Sequence, residues 1–268
     1  MDNIEQNPET TGTPVAPEEE LSHSDKMIGI FTEPSSTFEK IAKFPVKTID
    51  WLLPILLLLL VISLTQILVM SNEEIAYQVK QKQEKSINEM VEKRVLTREQ
   101  ADQQIEQSEK FSKSPLGWIF QTIGIFIFGF IIFFFVALIY FLFAKFALKG
   151  NGGFTSALVA GGLTAYISII QIVLAAILAM AFGKLLGDIS VASLASIDKA
   201  TITGWLLGKV DPFSIWAYSI TGIGLAKMFR SDSTTKYFIV VFGVWILGSL
   251  LLWGLGKVIP FLGFLSSM

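Results

Sequence analysis

Runs of apolar residues long enough to cross a bilayer constrain this chain more than any other feature. A hydrocarbon core of about 30 Å takes about 20 helical residues, and such runs occur near residues 51–70, 116–144, 154–182, 212–229 and 237–255. They are continuous, as where Ile55 is followed by Leu56 to Leu60, and lack the alternation of barrel strands, so helices follow. The fourth run, bounded by Asp211 and Arg230, is short. The expected fold is an all-α integral membrane protein with five transmembrane helices and a polar helical hairpin between the first and second. Charged residues make up 16% of the chain, against about 25% in soluble domains. A net charge of −2 supplies no positive field for nucleic acid.

The segments outside the spans differ in character. Residues 1–26 read as a disordered acidic tail, with Glu18, Glu19 and Glu20 running together and Pro8, Pro14 and Pro17 breaking local order. No basic start with an apolar core and cleavage site precedes the first span, which is therefore expected to stay in the protein. Residues 27–50 read as an interfacial amphipathic segment: Pro34 suits a first helical turn, Phe38 and Ile41 share a face, and Lys40 and Lys43 lie on the polar side. Such a segment either senses lipid headgroups or anchors the depth of the first span, residues 51–70.

Residues 71–113 are rich in Glu, Lys and Gln and poor in Gly and Pro, and should be helical. Ile75, Val79, Ile87 and Val91 recur at helical spacing, and Ile105 and Phe111 belong to a second series. Thr97 with Gln100 is a capping-box pattern that starts a new helix. Both ends return to one membrane face, so an extramembrane hairpin is the simplest geometry. It reads as a candidate partner arm or as a solvated connector. Residues 114–268 hold the remaining four spans.

The chemistry of enzymes is missing. Cysteine is absent and His23 is the sole histidine, which excludes thiol nucleophiles, cysteine-ligated zinc and sites needing two imidazoles. With His23 in the tail no Ser-His-acid arrangement can be built. Asp188, Asp198 and Asp211 lack metal-ligand spacing and read as loop and cap residues, Asp211 before Pro212 being a helix-start signal. No enzyme activity, metal or cofactor is expected. The span interiors hold no ionisable group, which disfavours proton-coupled transport. A transporter or channel for a neutral or lipidic substrate, lined by Gln66, Gln121, Gln171 and Tyr166, is the alternative. Gly161, Gly162, Gly222 and Gly224 permit close helix packing.

Orientation follows from lysine and arginine. With a cytoplasmic N-terminus that side holds Lys26, Lys40, Lys43, Lys47, Lys145, Lys149, Lys227, Arg230 and Lys236. The opposite side outnumbers them only through the hairpin, an independently folding unit, and once it is set aside the positive-inside rule favours N-inside.

The order of parts resembles the Yip1 domain family of five-span membrane proteins. The resemblance rests on the pre-membrane series from Phe31 to Ile41, the Gly150-Asn151-Gly152-Gly153-Phe154 entry to the third span, and Asp211-Pro212-Phe213-Ser214-Ile215-Trp216. In the last, Asp211, Phe213 and Trp216 match the family's D-x-F-x-x-W signature. The resemblance implies a cytoplasmic N-terminus and a C-terminus on the opposite side. Eukaryotic relatives associate with Rab-type GTPases and with each other, but this chain lacks their D-L-Y-G-P motif, so GTPase binding is not carried over. The polar hairpin looks more like the bacterial members, which places the chain in a bacterial cytoplasmic membrane. The expected role is a membrane adaptor or organiser whose partners are the lipid bilayer, a membrane or soluble protein, or a second copy of the chain. A protein that only alters bilayer shape is a blander option.

Overall fold

In a computed structural model the residues described are 19–112, 114–259 and 262, and among them every element is helical. The order is α1 (His23–Thr32), α2 (Pro34–Ile41), α3 (Ile49–Met70), α4 (Glu73–Glu92), α5 (Arg98–Ser112), α6 (Pro115–Leu142, prolonged by a π turn Phe143–Ala147), α7 (Phe154–Phe182), α8 (Val191–Leu194), α9 (Ile202–Gly208), α10 (Pro212–Met228) and α11 (Thr234–Val258).

Local chemistry sets the boundaries. Ser22 and Asp25 form a capping box at the start of α1, and Pro34, which cannot extend α1, opens α2 at its first turn. Thr97 N–H donates to Gln100 Oε1 at 2.9 Å and Gln100 N–H returns to Thr97 Oγ1 at 3.2 Å, which fixes the start of α5. Ser114 caps α6. α7 closes on Gly183 in the left-handed conformation (φ 61°), where glycine carries no Cβ penalty.

α7 is the axis of the bundle. α3 runs parallel to it, with Trp51 against Gly162 near one end and Val69 beside Ala176 and Ala179 near the other. α6 returns antiparallel, Phe133 lying by Gly161 and Phe141 by Phe154. α10 packs antiparallel to α7, with a Thr221 to Thr164 hydroxyl bond of 3.2 Å, and α11 packs on α10 through Tyr218 and Trp245, whose rings are 4.6 Å apart.

Four of these helices, α3, α6 with its π turn, α7 and α11, are long and apolar enough to cross a membrane. The fourth of the five expected spans falls on α10, which has only 17 residues, about 26 Å at 1.5 Å per residue. Its start is delayed by Asp211-Pro212. It is also more enclosed than the spans, with Ala217, Ile220, Leu225 and Ala226 in the core between α7 and α2.

Two expectations for the N-terminal region are corrected. α1 begins at His23 inside the stretch expected to be a tail, and Lys26 is buried; residues 1–18 lie outside the described residues. The apolar face of α2 meets protein rather than lipid: Phe38 and Ile41 are buried, and Phe38 lies against Gly224 of α10. Lys40 and Lys43 stay on the exposed side. The reason is that α1 and α2 fold back on the bundle, where α7 and α10 offer small residues.

Candidate functional site

The most unusual chemistry lies where α1 meets α3 and α7. Lys26 Nζ donates to Asp50 Oδ2 at 2.8 Å, and both residues are almost fully buried, at 2% and 1% exposure. His23 Nδ1 lies 3.3 Å from Asp50 Oδ1, and its Nε2 lies 2.8 Å from the Tyr166 hydroxyl. A carboxylate can only accept, so the Nδ1–H donates to Asp50. Glu20 takes a weaker contact from Lys26 at 3.4 Å and a closer one from Lys47 at 2.7 Å. Hydrogen bonding from Lys47 outweighs desolvation and holds the Glu20 carboxyl below its ordinary range.

Burial gives this cluster its meaning. Asp50 is the second residue of α3, and Tyr166 is twelve residues into α7, about 18 Å along its axis. A buried charge left unpaired would be heavily penalised, and such groups are tolerated where protein pairs them. α1 brings the partners. Its other face carries exposed Ser22, Ser24 and Asp25, so α1 acts as a polar-backed clamp over the carboxylate of α3. Sequence reasoning missed this site. It placed His23 in a free tail and began the first span at Trp51, one residue beyond Asp50. The available signal was a lone lysine at the end of an acidic stretch and a carboxylate at the edge of an apolar run.

Asp211 forms a second buried polar cluster on α7, five residues further along. Its Oδ1 accepts the N–H groups of Phe213 at 2.9 Å and Ser214 at 3.2 Å, and its Oδ2 accepts Gln171 Nε2 at 2.6 Å. The Phe213 ring lies 6.2 Å from Trp216, and Trp216 meets Phe31 of α1 edge-on at 5.7 Å. Asp211, Phe213 and Trp216 therefore start α10 and seat α1 on it. Trp216 itself joins the pre-membrane series to the later motif.

The connection between α7 and α10 has its own anchor. Asp188 accepts from Ser190 Oγ at 2.6 Å and pairs with Lys199. Burial alone would raise the Asp188 carboxyl, but Lys199 and the serine hydroxyls outweigh it and leave it below its ordinary value. Lys209 lies over the rings of Trp205 and Trp245, at 5.5 and 5.9 Å, and burial lowers its pKa.

Of the four residues proposed to line a permeation path, Gln66 is partly covered on α3. Gln171 is bonded to Asp211, Tyr166 to His23, and Gln121 is exposed on α6.

The polar segment after the first span forms two helices that run antiparallel. Lys80 pairs with Glu109, Gln83 Nε2 donates to Ser108 Oγ at 2.6 Å, and Arg98 donates to Asn88 at 2.8 Å. Ile75 is fully buried with Val69, Ala176 and Ala179, at the root of the pair. Gln78 bonds the Gly183 carbonyl at 2.8 Å and Leu185 N–H at 3.0 Å. Ile87 is buried; Val79, Val91 and Ile105 are partly covered. Phe111 is exposed and lies 5.9 Å from Phe120 of α6. The apolar stripe is thus largely taken up inside the protein, leaving the polar faces outward.

A family model of the Yip1 domain matches residues 28–255. No curated protein and no solved structure gives a significant match.

Proposed function

The chain belongs to the Yip1 domain family, and from that membership we propose a non-enzymatic, multi-pass membrane adaptor or organiser that presents a protein surface to a membrane or soluble partner. The observation that carries the reading is the α4–α5 pair. It is fixed to the bundle at its root by Ile75 and Gln78, while Lys82, Lys85, Glu89 and Gln103 remain exposed. An arm stiffened by its own cross-links loses less conformational freedom on docking than a loop would. Close packing within the bundle supports this role over a conduit: Gly129 abuts Leu59 and Gly162 abuts Trp51.

Purification from native membranes in mild detergent tests the adaptor reading. A partner recovered near stoichiometry with the full chain is expected to be lost when residues 73–110 are removed. Lys82→Glu with Lys85→Glu should cut recovery by about tenfold, because reversing exposed charges opposes docking without opening the arm. Recovery unchanged in both variants would remove the arm from the mechanism.

In this reading α10 also crosses, as the fourth of five crossings, the membrane is the bacterial cytoplasmic membrane, the N-terminus is cytoplasmic and the C-terminus lies opposite. The lysines near α2 and Arg230 then face the cytoplasm, as the positive-inside rule favours. With no native cysteine, a Ser86→Cys probe gives a background-free answer. An impermeant thiol reagent is expected to label it from the periplasmic side of intact cells. Labelling only after the inner membrane is opened would reverse the orientation.

A further inference from the structure

At the end of the bundle where α7 begins, the C-terminal end of α2 and the turn after α10 enclose a cavity of about 270 Å³. No carboxylate lines it among the described residues. Arg230, Asn151 and Ser156 supply its polar side chains. Arg230 is held in a left-handed backbone conformation (φ 55°), and one of its N–H groups reaches the Ala42 carbonyl at 3.3 Å, leaving the rest of the guanidinium fork for a ligand. Ser156 is 8% exposed; its oxygen accepts Gly153 N–H at 3.3 Å, so its own O–H is left to donate. The first-turn amides of α7 add positive potential to the same space.

The surroundings narrow the ligand class. The lining is mostly polar, and the exposed apolar surface lies just outside it, on the nearby π turn, where Phe146 is 70% exposed. Lys149 lies two residues from the lining Asn151 and is exposed; of the nearby acids, Glu39 is held by Lys227 at 2.9 Å and Asp232 is exposed. A guanidinium, a buried hydroxyl and helix amides around a small cavity match phosphate oxygens, and the exposed apolar surface of the π turn outside it matches acyl chains. We propose that this cavity holds the phosphate of an anionic glycerophospholipid from the leaflet at that end of α7. Free phosphate has the same headgroup chemistry, and the experiment separates the two. The inference stands apart from the adaptor reading, since lipid occupancy and partner recovery are read separately.

The test uses the purified full chain, delipidated in detergent, with phosphatidic acid or phosphatidylcholine added and bound lipid counted by native mass spectrometry. Phosphatidic acid is expected to be retained in preference, and Arg230→Gln to weaken its binding by about tenfold. Should Arg230→Gln destabilise the empty protein, Ser156→Ala is the second variant, with a loss of about fivefold. Lys236→Gln, outside the cavity, should bind as the parent does. Equal loss in Lys236→Gln and Arg230→Gln, or no preference for phosphatidic acid, overturns the site. Displacement of the lipid by an equimolar amount of inorganic phosphate overturns the lipid assignment and makes free phosphate the ligand.

Discussion

Asp50→Ala is expected to destabilise the protein by about 3–5 kcal/mol, the cost of leaving one member of a buried ion pair without its partner. The side chains of Lys26 and Asp50 are 3% and 2% exposed, so water cannot take over the ammonium, which would keep only its weaker 3.4 Å contact to Glu20. His23 loses its acceptor in the same step and is left with Tyr166 alone. Reversible unfolding in detergent micelles reads the global effect, and amide hydrogen exchange over α1 reads the local one. Release of α1 should come first, because its remaining hold is the His23–Tyr166 bond and the contacts of Met27, Ile30 and Phe31 with the core and Trp216. Adding Lys26→Met to Asp50→Ala should recover most of the loss, since an apolar replacement removes the uncompensated charge. A single Asp50→Ala change within about 1 kcal/mol of the parent, the range of exposed pairs, would mean that the clamp is open to solvent.

Much of the fold was legible because membrane helices are written locally. Continuous apolar runs, the Thr97 and Gln100 box, Pro34 at the start of α2 and the Asp211-Pro212 start of α10 are all signals within a few residues. The clamp was not, because Lys26 and Asp50 are 24 residues apart in sequence and His23 and Tyr166 are 143 apart. Nothing local tells a buried, compensated charge from a solvated one. The amphipathic pattern of α2 was legible too, but a helical period says only that one face is apolar. Whether Phe38 meets lipid or Gly224 depends on where α10 lies. The same limit applied to the arm, whose stripe at Ile75 and Ile87 read equally as a partner surface and as the connector's own packing, and is buried within the chain itself.

Glycines carry that limit furthest, and adjacent positions should respond with opposite signs. A Cβ on Gly162 would lie 2.5 Å from Trp51 Cα and 2.6 Å from its Cβ. Those atoms belong to the backbone and root of α3, which no rotamer change can move, so Gly162→Ala must push α3 off α7. The expected cost is about 1–3 kcal/mol, as for other overpacked cores. On Gly161 the nearest atom to a new Cβ is Phe133 Cε2 at 3.6 Å, an ordinary contact. Gly161→Ala should therefore stabilise α7 by up to about 1 kcal/mol through helix propensity alone. Successive residues point about 100° apart around a helix, so one glycine faces α3 and its neighbour faces α6. Gly224 follows Gly162, since its Cβ would meet the buried Phe38 ring at 2.9 Å, whereas Gly222 reaches the Phe238 ring edge at 3.0 Å and should lose less. Unfolding free energies of the two alanine variants in the same detergent decide the matter. Similar values for Gly161→Ala and Gly162→Ala would show that α3 and α7 do not approach at Trp51, and the clamp that depends on that approach would then lose its floor.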